Sequence, residues 1–295
     1  MIKFMAFGDL HYDEIPDGDR RIDELLAHIG ETNPDFVISL GDLCKPSSDN
    51  QEAVLKKLRS AGVPLYHMIG NHETDECHLE KVMKFYSLEK PYYSFEYEDI
   101  KFIVLDSCFQ CKGNKESPYY NRNYKDEMVL HPVIPSDETE WLKKELEDQK
   151  KYFIFSHHSL VNQFKDRGIH NQEKIRELFR DKKVLLCMNG HDHGDDLKFV
   201  DDIPYYTINS AAYVWCGCQI TNEEKLKEKY ADLNGFLLYR QALCVNVEID
   251  DNEIRILGMD GEYLSVTPAD VGLHDYRWNG VSIKPRTSSC VIKIK

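Results

Sequence analysis

Apolar residues are spaced in two ways along the first two-thirds of the chain. IKFMAF (2–7), DFVISL (35–40), VPLYHMIG (63–70), KYFIFS (151–156) and KVLLCMN (183–189) are short, nearly continuous apolar runs. Runs of that length read as buried strands. Between them the spacing is helical. Ile22, Leu25, Leu26 and Ile29 share one face of 18–32, Val54, Leu55 and Leu58 one face of 50–61, and Trp141, Leu142 and Leu146 one face of 137–149. Stretches 76–86 and 171–180 also read as helices. YYSFEYE (92–98) and KFIVLDS (101–107) predict a hairpin closed at Glu98-Asp99-Ile100. Strands alternating with helices predict an α/β architecture. After residue 195 the pattern changes to short strands with few helices: LKFV, IPYYTINS, ALCVNVEID, EIRILGMD and SCVIKIK. These are expected to build a second sheet packed on the first. Stretches 108–135 and 221–241 are polar or irregular and are expected to be caps inserted at one rim of a single domain, 1–295.

The ends of the predicted strands carry the chemistry. Asp9 and His11 follow the first, in FGDLH, and Asp42 follows the second, in SLGDL. Asn71 and His72 follow the third, in IGNHE, His157 follows KYFIFS, and His191 and His193 follow KVLLCMN, in GHDHG. In open α/β sheets ligands gather outside the carboxyl ends of the strands, so these residues are expected to meet. Each block alone is weak, since Gly-Asp is a common turn and a single histidine at a strand end is usually a packed polar residue. Together they offer imidazole nitrogens with carboxylate and amide oxygens, a donor mixture that suits borderline divalent metals. Even seven of these eight exceed one tetrahedral shell and fit two ions sharing a carboxylate. The glycines before Asp9, Asp42, Asn71 and His191 let the backbone turn beside such ions.

The blocks Asp9-Leu10-His11, Gly41-Asp42, Gly70-Asn71-His72-Glu73, His157 and Gly190-His191-Asp192-His193 resemble the signature of the calcineurin-like metallophosphoesterases. The resemblance implies a fold of two mixed β-sheets packed as a sandwich and flanked by helices, in four layers. It implies that Asp9, His11 and His193 bind one metal ion, that Asn71, His157 and His191 bind a second, and that Asp42 bridges them. His72 would face the substrate and protonate or stabilise the departing oxygen. Asp192 would face away and orient a ligating imidazole. The chain has GDLCKPS where phosphoprotein phosphatases carry G-D-x-V-D-R-G, and Lys45 where purple acid phosphatases carry a ligating tyrosine. Its remainder is similar to the bacterial branch that contains the class III cyclic-nucleotide phosphodiesterases.

The function expected is therefore dinuclear metal-dependent phosphoester hydrolysis by in-line attack of a hydroxide generated at two divalent ions, with Mn, Fe or Zn as the candidates. The expected substrate is a small phosphodiester such as a cyclic nucleotide, dinucleotide or glycerophosphodiester. A phosphomonoesterase or nucleotide pyrophosphatase is the alternative, and a non-catalytic scaffold a distant third, because no ligand block is missing.

Charge and thiols narrow the setting. The 295 residues carry a formal net charge of −14, with 51 acidic against 37 basic side chains. That balance argues against a nucleic-acid partner. MIKFMAFGDL lacks the length and flanks of a signal peptide, and no stretch reads as a membrane span. Nine scattered cysteines point to reduced thiols in a cytoplasm, with Cys108/Cys111 and Cys216/Cys218 read as unpaired thiols and a joint zinc or redox site as the alternative. Around the expected site, Asn209, Tyr213 and Trp215 are candidates to line the crevice, and SPYYNRNY (117–124) to fold over it and stack a base or sugar. His158 is expected on the opposite face from His157, His67 packed in its strand, and His28 and His274 solvated or in the core.

Overall fold

A computed structural model describes all residues except 47, 48, 127, 149, 221–227, 231 and 295, with the side chains of 49–51 also left out. The predicted cap at 221–241 therefore lies partly outside the described residues. Twelve strands build the body: β1 (Ile2–Phe7), β2 (Phe36–Ser39), β3 (Leu65–His67), β4 (Tyr93–Tyr97), β5 (Ile100–Leu105), β6 (Lys151–Ser156), β7 (Lys183–Asn189), β8 (Asp196–Val200), β9 (Ile203–Thr207), β10 (Val245–Ile249), β11 (Glu253–Leu257) and β12 (Cys290–Lys293). They form two six-stranded sheets, ordered β12-β11-β10-β1-β2-β3 and β8-β9-β7-β6-β5-β4. Helices α1 (Gly18–Thr32), α2 (Asp49–Arg59) and α3 (Leu79–Tyr86) cover the first sheet, and α4 (Ser136–Glu145) and α5 (Gln172–Glu177) cover the second.

The alternation within each strand explains the layering. On β1, Phe4 and Ala6 point into the space between the sheets, while Met5 and Phe7 meet Ile22, Leu25 and Ile29 of α1. On β6, Phe153 and Phe155 face the other sheet, while Tyr152 and Ile154 meet Leu142 and Ile175. A strand buried on both faces needs apolar residues at every position, which is why these runs look continuous. Aromatic rings dominate between the sheets. Phe4 stacks on Phe36 at 4.8 Å and meets Phe153 edge-on at 5.3 Å, geometries the ring quadrupoles favour.

The four-layer sandwich is as predicted, but its sheets are assembled differently. The late strands do not make a sheet of their own. β10 pairs antiparallel with the free edge of β1 and carries β11 and β12 into the first sheet, while β8 and β9 extend the second beyond β7. Both edges need partners for their backbone groups, and local alternation does not say which edge a strand will join. The hairpin forms as expected, Tyr97 opposite Ile100, with Glu98 at φ 54° in its two-residue turn.

What this topology does for function is directional. β1, β2 and β3 run parallel, as do β5, β6, β7 and β9. At the rim, Phe109–Lys112, Lys115–Pro118 and Leu130–Val133 form a small antiparallel sheet within the predicted insertion 108–135. Arg21, fully buried on α1, ties the helix to the loops on the site side. It donates to the carbonyls of Ala211 and Gln241 at 3.0 and 2.8 Å and to that of Tyr239, and pairs with Asp17 at 3.0 Å. Among the described residues no helix is long and apolar enough to cross a membrane. All nine cysteines are free thiols.

Candidate metal centre

The strand ends converge as predicted, and the backbone there is unusual. Asp9, His11, Asp42, His191 and His193 all have left-handed φ, between 45 and 65°. Non-glycine residues rarely adopt that conformation, and clusters of them mark functional sites. The sharp turns bring the side chains together, and the glycines let the strands approach. A Cβ on Gly41, itself at φ +92°, would sit 2.6 Å from His157 Nδ1, and one on Gly190 would sit 2.6 Å from Asp9 Oδ2.

Hydrogen bonds orient the imidazoles. His157 Nδ1–H donates to the Leu40 carbonyl at 2.8 Å and His193 Nδ1–H to the Tyr213 carbonyl at 2.9 Å. His11 Nδ1 lies 3.2 Å from the Glu14 carboxylate. With hydrogen on Nδ1, each ring presents an Nε2 lone pair inward. The Nε2 atoms of His11 and His193 face each other at 3.1 Å, with Asp9 Oδ1 3.5 Å from His193. On the other side, His157 Nε2 lies 3.2 Å from Asn71 Oδ1 and 3.3 Å from Asp42 Oδ2. Asp42 Oδ2 is also 3.7 Å from His11 Nε2, so one carboxylate oxygen looks towards both groups.

Lone pairs packed against lone pairs repel unless a cation lies between them. That is the test of whether the residues suit a metal, and they fit: nitrogen and oxygen donors, buried, converging in two sets about one shared carboxylate. Ligand atoms lie within 4.8 Å of one another in each of three groups: Asp9, His11 and His193; Asp9, Asp42 and His157; and His157, His158 and His191. A proton is the only other cation that relieves the repulsion. Burial lowers the affinity of His157 for a proton, but Asp42 overrides it and raises the pKa to about 10. Burial raises Asp42, yet His157 and His72 hold it well below the usual carboxylate range.

His191 is placed differently from its expected partners. Its backbone N–H donates to both Asp9 oxygens at 3.0 Å, and its Nε2 accepts from Arg167 Nη2 at 2.9 Å. Its ring sits beside those of His157 and His158, at 5.0 and 4.1 Å. Burial and the nearby Arg167 push its pKa well down. Asp192 is buried, and among the described residues its carboxylate bonds no imidazole, so it does not orient a ligating ring as expected. The ligand-type rings give their Nδ1 hydrogens to backbone carbonyls and Glu14 instead, and burial raises Asp192 to about 7.

His72 stands at the edge of a cavity of about 580 Å³. Its side chain is 29% exposed, enough to meet a ligand. Nδ1–H donates to Asp75 at 2.8 Å, which turns Nε2 the other way. Burial lowers its pKa, but Asp42, Asp75 and Glu14 outweigh that and raise it to about 9. Asp75 also accepts from Arg122 Nε at 2.9 Å and Tyr124 OH at 2.5 Å, tying the rim insertion to the site. Glu73 braces the same turn from below, accepting backbone N–H groups of Asp42, Leu43 and Gly70 at 2.8–3.0 Å.

Several expectations change here. His158 does not face away from the site; β6 ends at Ser156, so strand alternation stops and the ring lines the cavity. Asn209 does not line the crevice. It is fully buried and donates to the carbonyls of Lys284 and Arg286 at 2.8 and 3.1 Å. Tyr213 and Trp215 do line it. The segment 117–124 folds over the site: Tyr119, packed at 1% exposure, and Tyr124 line the cavity, while Tyr120 stacks on His78 at 3.8 Å. His67 is packed, stacked on Tyr86 at 4.5 Å, and His274 is exposed. Glu14, Asp75, Arg122 and Arg167 were missed by the sequence reading. Glu14 and Asp75 sit three residues beyond candidate site histidines, one helical turn away, which is the only local sign of them. Arg122 and Arg167 carry none. Lys45, at the position of the tyrosine ligand in purple acid phosphatases, pairs with Glu14 at 3.1 Å.

Residues 2–195 match the calcineurin-like phosphoesterase family. The chain belongs to that family. It is a metal-dependent phosphoester hydrolase of the calcineurin-like type, and the family's divalent metals agree with the donor sets above. Solved structures share the fold. A dimetal phosphatase from Danio rerio superposes with a TM-score of 0.66 at 14% identity, covering 100% of this chain and 99% of that one. GAP50, the anchor in the inner membrane complex of Plasmodium, superposes with 0.59 at 13% identity, covering 100% and 89%. No curated protein matches the sequence.

Proposed function

We propose that this calcineurin-like phosphoesterase is a dinuclear phosphodiesterase acting on a small anionic substrate. The observation that carries the reading is the pair of Nε2 atoms of His11 and His193, 3.1 Å apart with their hydrogens committed elsewhere, beside Asp42 Oδ2, which looks to both donor sets. Asp9, His11 and His193 would hold one divalent ion; Asn71, His157 and His191 would hold the other, with Asp42 between them. Mn, Fe or Zn suits that mixture. Bound there, two such ions supply charge neutralisation on the phosphoryl oxygens and an attacking group available near neutral pH.

The chain's own residues do the rest. Asp75 holds His72 by Nδ1, so Nε2 can present a proton to the departing oxygen. Arg122, Lys125 and Arg167 line the cavity and supply positive charge in a chain that is acidic overall, which favours an anionic substrate. A volume of about 580 Å³ suits one small molecule. The half-exposed Trp215, beside Phe236, offers an organic substituent an apolar wall. A wall of that kind favours an organic phosphate ester over inorganic phosphate. A phosphomonoesterase or nucleotide pyrophosphatase is the second reading, favoured by the several cations. The intact donor sets weigh against a scaffold role, although one fold relative is described as an anchor. The free thiols fit a reducing cytoplasm.

The test is the initial rate on bis-p-nitrophenyl phosphate and on p-nitrophenyl phosphate, with Mn²⁺-reconstituted protein and Asp42→Asn as the blank. A diester preference that disappears in the variant is expected. A monoester preference overturns the substrate class, and rates no higher than the blank overturn the enzymatic reading of this site.

A further inference from the structure

His158 is set apart from the other histidines of the site by a hydrogen-bond count. It is 2% exposed, yet lines the cavity, with its ring 4.1 Å from that of His191 and 4.9 Å from that of His157. Ser107, just after β5, is fully buried against it. Ser107 Oγ accepts the backbone N–H of His158 at 3.3 Å and lies 2.8 Å from His158 Nδ1. A hydroxyl carries one hydrogen, and a buried one needs an acceptor. Among the described residues His158 Nδ1 is the only acceptor Ser107 has. Its hydrogen therefore goes to Nδ1, and the ring's own hydrogen is left on Nε2.

This is the opposite tautomer from His157 and His193, whose Nδ1 hydrogens go to carbonyls. A neutral ring with hydrogen on Nε2 has no second lone pair to give an ion, although its nitrogen lies within ligand distance of those of His157 and His191. What it has is a fixed N–H donor at the wall of the cavity, held by Ser107 beside the rings of His157 and His191. We propose that His158 is a substrate-contacting residue whose Nε2–H donates to a non-bridging phosphoryl oxygen of the bound ester. The inference rests on the phosphoesterase reading above and adds a neutral donor to its charge stabilisation. Preorganised donors of this kind gain strength as negative charge develops, and Ser107 holds this one in place.

Two measurements test it. Long-range ¹H–¹⁵N correlation of [¹⁵N]histidine-labelled, Zn²⁺-loaded protein, with His158→Gln for assignment, is expected to show His158 protonated at Nε2 and bare at Nδ1. The reverse tautomer, or an Nε2 shifted by metal coordination, overturns the proposal. In kinetics on bis-p-nitrophenyl phosphate, His158→Ala is expected to lose about 10²–10³-fold in kcat while keeping the wild-type ion count by elemental analysis. His158→Gln, whose amide N–H reaches the same region, should recover part of that loss. Ser107→Ala, which leaves the ring but frees its tautomer, should lose about tenfold and covers the case of a poorly folded His158→Ala. Loss of an ion, or an unchanged kcat, in His158→Ala overturns the proposal alone. A wild type no faster than Asp42→Asn overturns the phosphoesterase reading and the substrate contact with it.

Discussion

One methyl group at Gly70 probes the whole arrangement. A Cβ there would lie 2.2 Å from Asp42 Oδ1, 2.5 Å from Asp42 N and 2.8 Å from Asp42 Cγ, where ordinary contact begins at 3.4 Å. The neighbour has little room to yield. Asp42 N–H is held by Glu73 at 3.0 Å, its Oδ1 by the backbone N–H of His72 at 2.8 Å, and its Oδ2 faces His157 at 3.3 Å. Gly41 presses on the other side, its Cβ direction ending 2.8 Å from Gly70 N. Gly70→Ala therefore has to displace the candidate bridging carboxylate by about 1 Å, and a misplacement of that size costs about 10²-fold in rate. Overpacking at a buried site costs about 1–3 kcal/mol of stability as well. The assay is Mn²⁺ bound per chain, kcat on bis-p-nitrophenyl phosphate and the melting temperature. Gly30→Ala, on α1 with nothing within 4 Å of its Cβ position, serves as the control and should be neutral or stabilising. A Gly70→Ala protein with wild-type ion content and wild-type kcat would refute the claim that close approach of these loops builds the site.

Two further predictions concern single histidines. His72→Ala is expected to lower kcat by about 10²–10⁴-fold with metal content unchanged; loss of bound metal would move His72 into the ligand set and end its role as proton donor. His67 concerns stability. Burial, with a smaller contribution from Arg59, lowers its pKa from 6.5 to about 3, and among the described residues neither ring nitrogen has a hydrogen-bond partner. As pH falls below 6.5 the unfolded chain takes this proton first, so the folded state loses about 1.4 kcal/mol per pH unit until the folded pKa is reached. Above 6.5 this group contributes no pH dependence. His67→Leu should remove that slope, which urea unfolding at pH 7 and pH 5 measures. An equally steep loss of stability in the variant would show that His67 is not its source.

Local pattern was enough to locate much of this protein. β1, β6 and β7 match their apolar runs residue for residue, because a strand buried on both faces cannot avoid being written as one. The turns after these strands and after β2 were also legible, since Asp9, Asp42, His157, His191 and His193 are costly residues to leave at buried strand ends without a purpose. Pairing was not. The sequence of β10 alternates in the same way whichever edge it joins, and only the free edge of β1 assigns it to the first sheet. The same limit applies inside the site. His157 and His158 are adjacent in sequence, and what separates their chemistry is a carbonyl at Leu40 for one and a hydroxyl at Ser107 for the other. Those partners lie 117 and 51 residues away. Residue type and spacing decided which groups reach the rim. Which nitrogen carries the hydrogen was left to contacts that exist only once both sheets have packed, because a tautomer is set by its acceptor.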